Sequence, residues 1–175
     1  MTQLLITGGA GFIGSHACLA FLEAGHNLVV FDNYSNSSSE SIKRVTELAG
    51  VDFQSRIALI EGDIRNRQDL DIAFSHGPKE IDAVVHFAGL KAVSESLLMP
   101  LHYWDVNVAG SLCLFEAMRR YKCRTLVFSS SATVYGFPAQ VPIPETCLVQ
   151  PINPYGQTKA AVEEILGDLA ESEPG

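Results

Sequence analysis

Positive charge is scarce in this chain. Its 175 residues hold 12 lysines and arginines against 20 aspartates and glutamates, a net charge of −8. The deficit holds on both sides, with six basic against eleven acidic residues before Ala88 and six against nine from there on. With no basic half, the composition argues against a groove that tracks a nucleic-acid backbone. The four cysteines (Cys18, Cys113, Cys123, Cys147) show no CxxC spacing. No histidine accompanies them at the intervals of a zinc site, so no metal centre is expected. They read as free thiols of a reducing compartment. His16, His26, His76 and His102 form no cluster, and His86 falls in an apolar run where a packed, hydrogen-bonded role is expected. Met1 to Phe21 lacks the basic head of a signal peptide, and no apolar run approaches the ~20 residues of a membrane span. A soluble, cytoplasmic protein is expected. There is no internal repeat, and the only polar tract is the short Asn33–Ser41.

What the sequence does have is core-forming material, 47% hydrophobic against 18% charged residues. The length suits one domain, expected to occupy residues 1–175. Short apolar runs recur at Leu4–Thr7, Leu28–Asp32, Ile57–Glu61, Ala83–Phe87 and Thr125–Phe128. Each is too short for a helix and nearly continuous in apolar character, as strands buried on both faces of a parallel sheet are. Helical spacing lies between them. Ile13, Ala17, Ala20 and Ala24 form one stripe before a capping Gly25. Trp104, Val108, Leu112 and Phe115 form a second, with Arg119, Arg120 and Lys122 at its end, where the helix dipole favours cations. A third helix starts with Asn153 as cap and Pro154 in first position, carries Ala161, Ile165 and Leu169, and ends near Pro174. The alternation predicts an α/β fold: a doubly wound, Rossmann-type parallel sheet between two helical layers, in strand order 3-2-1-4-5.

The first run leads directly into Gly8-Gly9-Ala10-Gly11-Phe12-Ile13-Gly14. A glycine turn after a strand and before a helix lets the backbone approach a pyrophosphate, and the helix N-terminus offers it N–H groups and partial positive charge. Gly8, Gly11 and Gly14 of that turn also fit the wider GxxGxxG spacing. Asp32 ends the second run, where a carboxylate can accept the hydroxyls of an adenosine ribose and repel a 2′-phosphate. No arginine stands beside it, so NAD is expected rather than NADP. Asp63 follows the third run, placed to accept an adenine amino group. Tyr155 and Lys159 form a YxxxK pair on the last helix, on one face by their spacing. An ammonium beside a phenol favours its ionised form and makes it a base for a hydroxyl proton. The serines after the fifth run, Ser131 among them, stand beyond the carboxyl end of a strand, where open α/β sheets bind ligands.

These segments resemble the UDP-glucose 4-epimerase family of extended short-chain dehydrogenase/reductases. The resemblance rests on Thr7–His16, on His86-Phe87-Ala88-Gly89-Leu90-Lys91-Ala92-Val93 with Glu95 and Ser96, on Ser129–Gly136, and on Tyr155–Lys159. It runs in order along nearly the whole chain. It implies that Gly8, Gly11, Phe12 and Ile13 hold the pyrophosphate of NAD, that Asp32, Asn33, Asn36 and Ser37 surround the adenosine ribose and its phosphate, and that Asp63 and Ile64 meet the adenine. Phe87, Ala88, Gly89, Lys91 and Asn107 would line the cofactor, and Lys159 would reach the nicotinamide ribose. Ser131, Thr133 and Tyr155 would face the sugar of a UDP-sugar substrate. Related nucleotide-sugar 4,6-dehydratases carry Asp-Glu where Ala132-Thr133 stand, and alanine cannot supply the acid that eliminates water. Members of the family are longer and form homodimers through helices matching Leu112–Phe115 and Val162–Leu169. This chain is therefore expected to be the cofactor-binding part, without the substrate domain. The alternatives are an NAD-binding module that performs no chemistry, or another nucleotide-sugar epimerase or dehydratase of the same superfamily.

Overall fold

Apolar runs of four to six residues can bury their backbone polar groups only by pairing, and here they pair with one another. The structure is a computed structural model describing residues 1–77 and 79–172, with backbone alone for 51–53. Strands β1 (Gln3–Thr7), β2 (Asn27–Asp32), β3 (Ile57–Glu61), β4 (Ala83–His86) and β5 (Thr125–Phe128) form one parallel sheet ordered β3-β2-β1-β4-β5. The expected order and strand positions hold to within one residue. The helices are α1 (Phe12–Glu23), α2 (Ser39–Ala49), α3 (Arg67–Phe74), α4 (Val93–Leu98), α5 (Pro100–Trp104), α6 (Gly110–Arg120) and α7 (Pro154–Ser172). A turn of π-helix, Asp105–Ala109, joins α5 to α6, and a 3₁₀ turn, Ala132–Tyr135, follows β5.

The chain divides into two compact units. The first comprises Met1–Ala88 and Leu112–Ser129, and the second Gly89–Ser111 and the residues from Ser130 onward. The first unit holds the whole sheet. Register aligns Leu4 and Ile6 with Leu28 and Val30 on one face, where Cys18 and Leu22 of α1 and Ile42 and Val45 of α2 complete the core. Leu5, Val29 and Val84 lie on the opposite face and are fully buried. There Phe115 of α6 meets the His86 ring edge-on at 6.4 Å, and Phe31 lies beside Gly62 and Asp69 at the start of α3. The sheet is thus covered on both faces, as the sequence predicts.

Three expectations need correction. Only β1, β2 and β4 are buried on both faces; Thr125 and Val127 of β5 are exposed, because β3 and β5 are the outer strands of this sheet. In α1 the buried positions are Gly14, Ser15, Cys18 and Leu22, while Ile13, Ala20 and Ala24 are exposed. The helix is apolar nearly all round, so periodicity could not select its face, and close packing on the turn selected the small residues. The second stripe also shifts. Tyr103, Asn107, Ser111, Leu114, Phe115 and Met118 are buried, whereas Trp104 and Leu112 are exposed. Two of the buried residues are polar and invisible to an apolar count. On α7 the burial runs through Tyr155, Gly156, Thr158, Lys159, Ala160 and Val162, and Leu169 is exposed. The predicted end of this helix near Pro174 lies outside the described residues. Helix caps, by contrast, stand where expected. Gly25 has φ +96°, its N–H donates to Leu22 O, and the His26 N–H donates to Phe21 O, which closes α1 in a Schellman motif.

Candidate functional site

In the first unit the glycine turn is built by exclusion. Gly8 has φ +67°, and a Cβ there would sit 2.5 Å from Ala88 N, so the ends of β1 and β4 approach as no other residue would allow. A Cβ on Gly14 would overlap Gly8 O and Gly9 Cα. The turn therefore lies directly against the first turn of α1. No side chain caps that helix and no acidic residue stands in its first turn. Its N-terminal N–H groups are those of Phe12, Ile13 and Gly14, since the Gly11 N–H donates to Gly8 O at 3.1 Å, and the Phe12 and Ile13 side chains are exposed. An uncapped helix end behind a cradle that a Cβ would fill suits a pyrophosphate.

Asp32 is 7% exposed and already holds three donors. Its Oδ2 accepts from Ala10 N at 2.9 Å, and its Oδ1 accepts from Tyr34 N at 3.0 Å and from Ser37 Oγ at 2.7 Å. A carboxylate offers about four acceptor sites, so one remains for a further donor unless the Ser37 hydroxyl is displaced. Asn33 and Asn36 are exposed beside it. Asp63 is more heavily engaged. Arg65 grips it through Nε at 2.9 Å and NH2 at 2.7 Å, the Arg65 backbone N–H adds 2.9 Å, and Asn33 Nδ2 donates at 3.1 Å. The Arg65 guanidinium holds this carboxyl down at about 2. An adenine amino group meets Asp63 only where one of these donors yields. Ile64 is buried, and Phe87 and Ala88 are half-buried at the end of β4. His86 is fully buried, its Nδ1 hydrogen-bonded to Thr7 Oγ1 at 2.6 Å.

In the second unit the π-helical turn aims Asn107 at a loop. Asn107 Oδ1 accepts from Leu90 N at 2.7 Å, while its Nδ2 donates to Leu90 O at 3.0 Å and to Thr158 Oγ1 at 3.1 Å. Its amide thereby pins the segment after Gly89 to the turn of α7 that carries Lys159. Gly89 has φ +150°, and a Cβ there would come within 3.0 Å of Asn107 Oδ1 and 3.9 Å of Lys159 Nζ. Gly89, Asn107 and Lys159 are thus brought together, while Lys91 is exposed. Tyr155 and Lys159 are buried, at 9% and 7% exposure. Burial pulls the Lys159 ammonium down to about 8. Asn153 Oδ1 caps α7 by accepting from Gly156 N at 2.8 Å. Gly156 also lets α7 close on the 3₁₀ turn, since a Cβ there would stand 2.8 Å from Thr133 O. Ser131 heads that turn and accepts from Thr133 Oγ1 at 2.9 Å and Thr133 N at 3.3 Å. Ser131 and Thr133 therefore act as one hydroxyl pair. Sequence reasoning missed Gly156, Thr158 and Tyr103, and only the glycine beside the tyrosine left any signal.

A family model described as GDP-mannose 4,6 dehydratase matches residues 5–174. The chain is 49% identical over 166 residues to UDP-glucose 4-epimerase of Bacillus subtilis, covering 95% of this chain and 47% of that protein. It is 49% identical over 171 residues to UDP-glucose 4-epimerase 2 of Arabidopsis thaliana, covering 98% and 48%. It superposes on a UDP-glucose 4-epimerase from Bifidobacterium longum, solved in complex with NAD+ and UDP, with a TM-score of 0.92 and 39% identity, covering 99% of this chain and 50% of that one. The chain therefore spans about half the length of the curated relatives it matches.

Proposed function

The chain belongs to the GDP-mannose 4,6 dehydratase family, and we propose that it is the NAD-holding part of a UDP-glucose 4-epimerase within it. The observation that carries this reading is the buried Tyr155–Lys159 pair on one face of α7, its ammonium packed against the Gly89 loop that Asn107 fixes. The first unit would take the dinucleotide, with the pyrophosphate at Gly8, Gly11, Phe12 and Ile13 and the adenosine ribose at Asp32. The absent Cβ at Gly14 and the uncapped start of α1 fit that group. NAD, when bound, supplies the acceptor that takes a hydride from C4 of the sugar and returns it to the other face of the 4-keto sugar. Tyr155 would remove the C4 hydroxyl proton and later give it back. Lys159, cationic below its pKa of about 8, would bring a positive charge to the same face of α7. The Ser131–Thr133 hydroxyl pair would hold the same sugar oxygen. Water elimination is disfavoured, because Ala132 and Thr133 offer no carboxyl acid. In the full-length enzyme, Tyr155→Phe should abolish conversion of UDP-galactose to UDP-glucose while NAD stays bound, and near-unaltered turnover would remove Tyr155 as the base.

A second reading is an NAD-holding module that performs no chemistry. The two readings part on whether UDP-sugar turnover accompanies NAD binding.

A further inference from the structure

We propose that Tyr103 is a positioning residue for Tyr155, bracing its phenol ring in one position through an edge-on contact that Glu95 and the Ala92 carbonyl hold in place. The proposal rests on the reading of Tyr155 as the base. The backbone of Tyr155 is already fixed, by the Asn153 cap and by the close approach of Gly156 to Thr133. Those contacts fix the backbone but leave the side chain its choice of rotamer about the Cα–Cβ bond, and each rotamer would carry the phenol oxygen to a different place. The ring of Tyr103 braces the phenol against that swing. The two centroids are 6.5 Å apart with planes at 84°, the edge-to-face arrangement that aromatic quadrupoles favour.

Tyr103 is itself the largest fully buried side chain among the described residues. A buried phenol needs a partner for its hydroxyl, and here there are two. The O–H faces Glu95 Oε2 at 2.7 Å and Ala92 O at 2.8 Å, sharing one proton between acceptors at the start of α4. Packing alone would be served by phenylalanine. The hydroxyl anchors the ring at its far end, so the chain of restraint runs from α4 through Tyr103 to Tyr155. Burial, and then the Glu95 carboxylate, push the Tyr103 phenol up, so it keeps its proton wherever a catalytic phenol works. Tyr103 orients, and it does not transfer the proton.

The test uses the full-length, NAD-loaded enzyme with Tyr103→Leu, Tyr103→Phe and each of these combined with Tyr155→Phe. A base displaced by about 1 Å can cost ~10²-fold in rate. Tyr103→Leu should therefore lower kcat by roughly 10- to 100-fold, with KM for the UDP-sugar and NAD affinity within about two-fold. Tyr103→Phe keeps the ring edge and should recover most of that loss. In the Tyr155→Phe background neither change should lower the residual rate further, because residues that act through one another are not additive. Weaker NAD or substrate binding in step with kcat would overturn the proposal, as would a phenylalanine variant no better than leucine or additive losses in the double variants. Tyr155→Phe alone, with Tyr103 intact, tests the base separately. Retained turnover there would strike the functional reading rather than the contact.

Discussion

Asp32 Oδ2 accepts the backbone N–H of Ala10 at 2.9 Å, so the carboxylate at the end of β2 ties down the turn that precedes α1. Its other oxygen ties down Tyr34 and Ser37. One side chain shapes the loop and presents negative charge where a dinucleotide ribose would lie. A 2′-phosphate would meet that charge in a nearly buried setting, where screening by water is weak. NAD should bind at least about ten-fold tighter than NADP, a difference of ~1.4 kcal/mol. Calorimetric titration of both cofactors decides it, and equal or tighter NADP binding would sink the assignment. Asp32→Asn should weaken NAD and lower stability together, because an amide cannot accept at both ends and leaves one backbone N–H unpaired at about 1–3 kcal/mol.

Gly14→Ala separates propensity from sterics. In an open helix the change would gain up to about 1 kcal/mol. Here the new methyl overlaps Gly8 O and Gly9 Cα, backbone atoms that cannot swing aside. Overpacking of that kind costs ~1–3 kcal/mol, so the steric cost should win. Chemical denaturation should show a less stable protein, and NAD affinity should fall as the turn is pushed out of shape.

The features legible in the sequence were those with short-range causes. The glycine turn, the Asn153-Pro154 helix start and the Gly25 cap each follow from local backbone chemistry, and all three stand in the structure. Strand order followed from the alternation of runs. Helix α2 and helix α3 escaped the periodicity, being short and polar, although Ser38 and Asn66 cap them in the usual way. What the sequence concealed depended on distant partners. Nothing near Asn107 foretells its pair of hydrogen bonds to Leu90, and nothing near Tyr103 foretells Tyr155. Buried polar residues cannot be told from surface ones until their hydrogen bonds are known.

Homodimerisation should draw on the apolar side chains left exposed. The helices around Leu112–Phe115 and Val162–Leu169 were expected to serve, yet Phe115 and Val162 are buried within the chain. Leu112 and Leu169 remain available, and Leu97, Leu98 and Leu101 are exposed as well. Leu112→Glu should shift sedimentation toward monomer at a given concentration. A profile that is monomeric before any substitution, even at high concentration, would count against the dimer.

Lys159 should make stability depend on pH in the alkaline range. Its folded-state pKa of about 8 lies below the ordinary 10.5, so folding penalises the charged form. That penalty is complete below pH 8. Between about 8 and 10.5 the unfolded chain holds the extra proton, and stability should climb with pH. Lys159→Met should therefore stabilise the apo protein at pH 7, by about 1–3 kcal/mol. The gain should vanish above pH 10.5. Denaturant titrations at pH 7 and pH 10 read the difference directly, and an equal gain at both would show that burial of the charge is not its source.

These 175 residues alone should bind NAD and show negligible epimerase turnover. The sheet closes its core on both faces, and the glycine turn, Asp32 and the Tyr155–Lys159 pair are all in place. Holding a cofactor needs little more. Catalysis does, because the sugar carbon must be kept within ~3–3.5 Å of the group that accepts its hydride. Binding energy from the remote uridine diphosphate is what normally secures such positioning, and substrates deprived of remote contacts lose kcat as well as affinity. The chain matches only about half the length of its relatives, and a fragment of these residues alone would forgo any substrate contacts made by the other half. The loss should reach orders of magnitude even with the base intact. A coupled assay for UDP-galactose conversion, run beside a measurement of NAD occupancy, separates the outcomes. Robust conversion would show that the nucleotide-sugar site is complete within these residues. Absent NAD binding would show instead that these 175 residues do not suffice for the cofactor site.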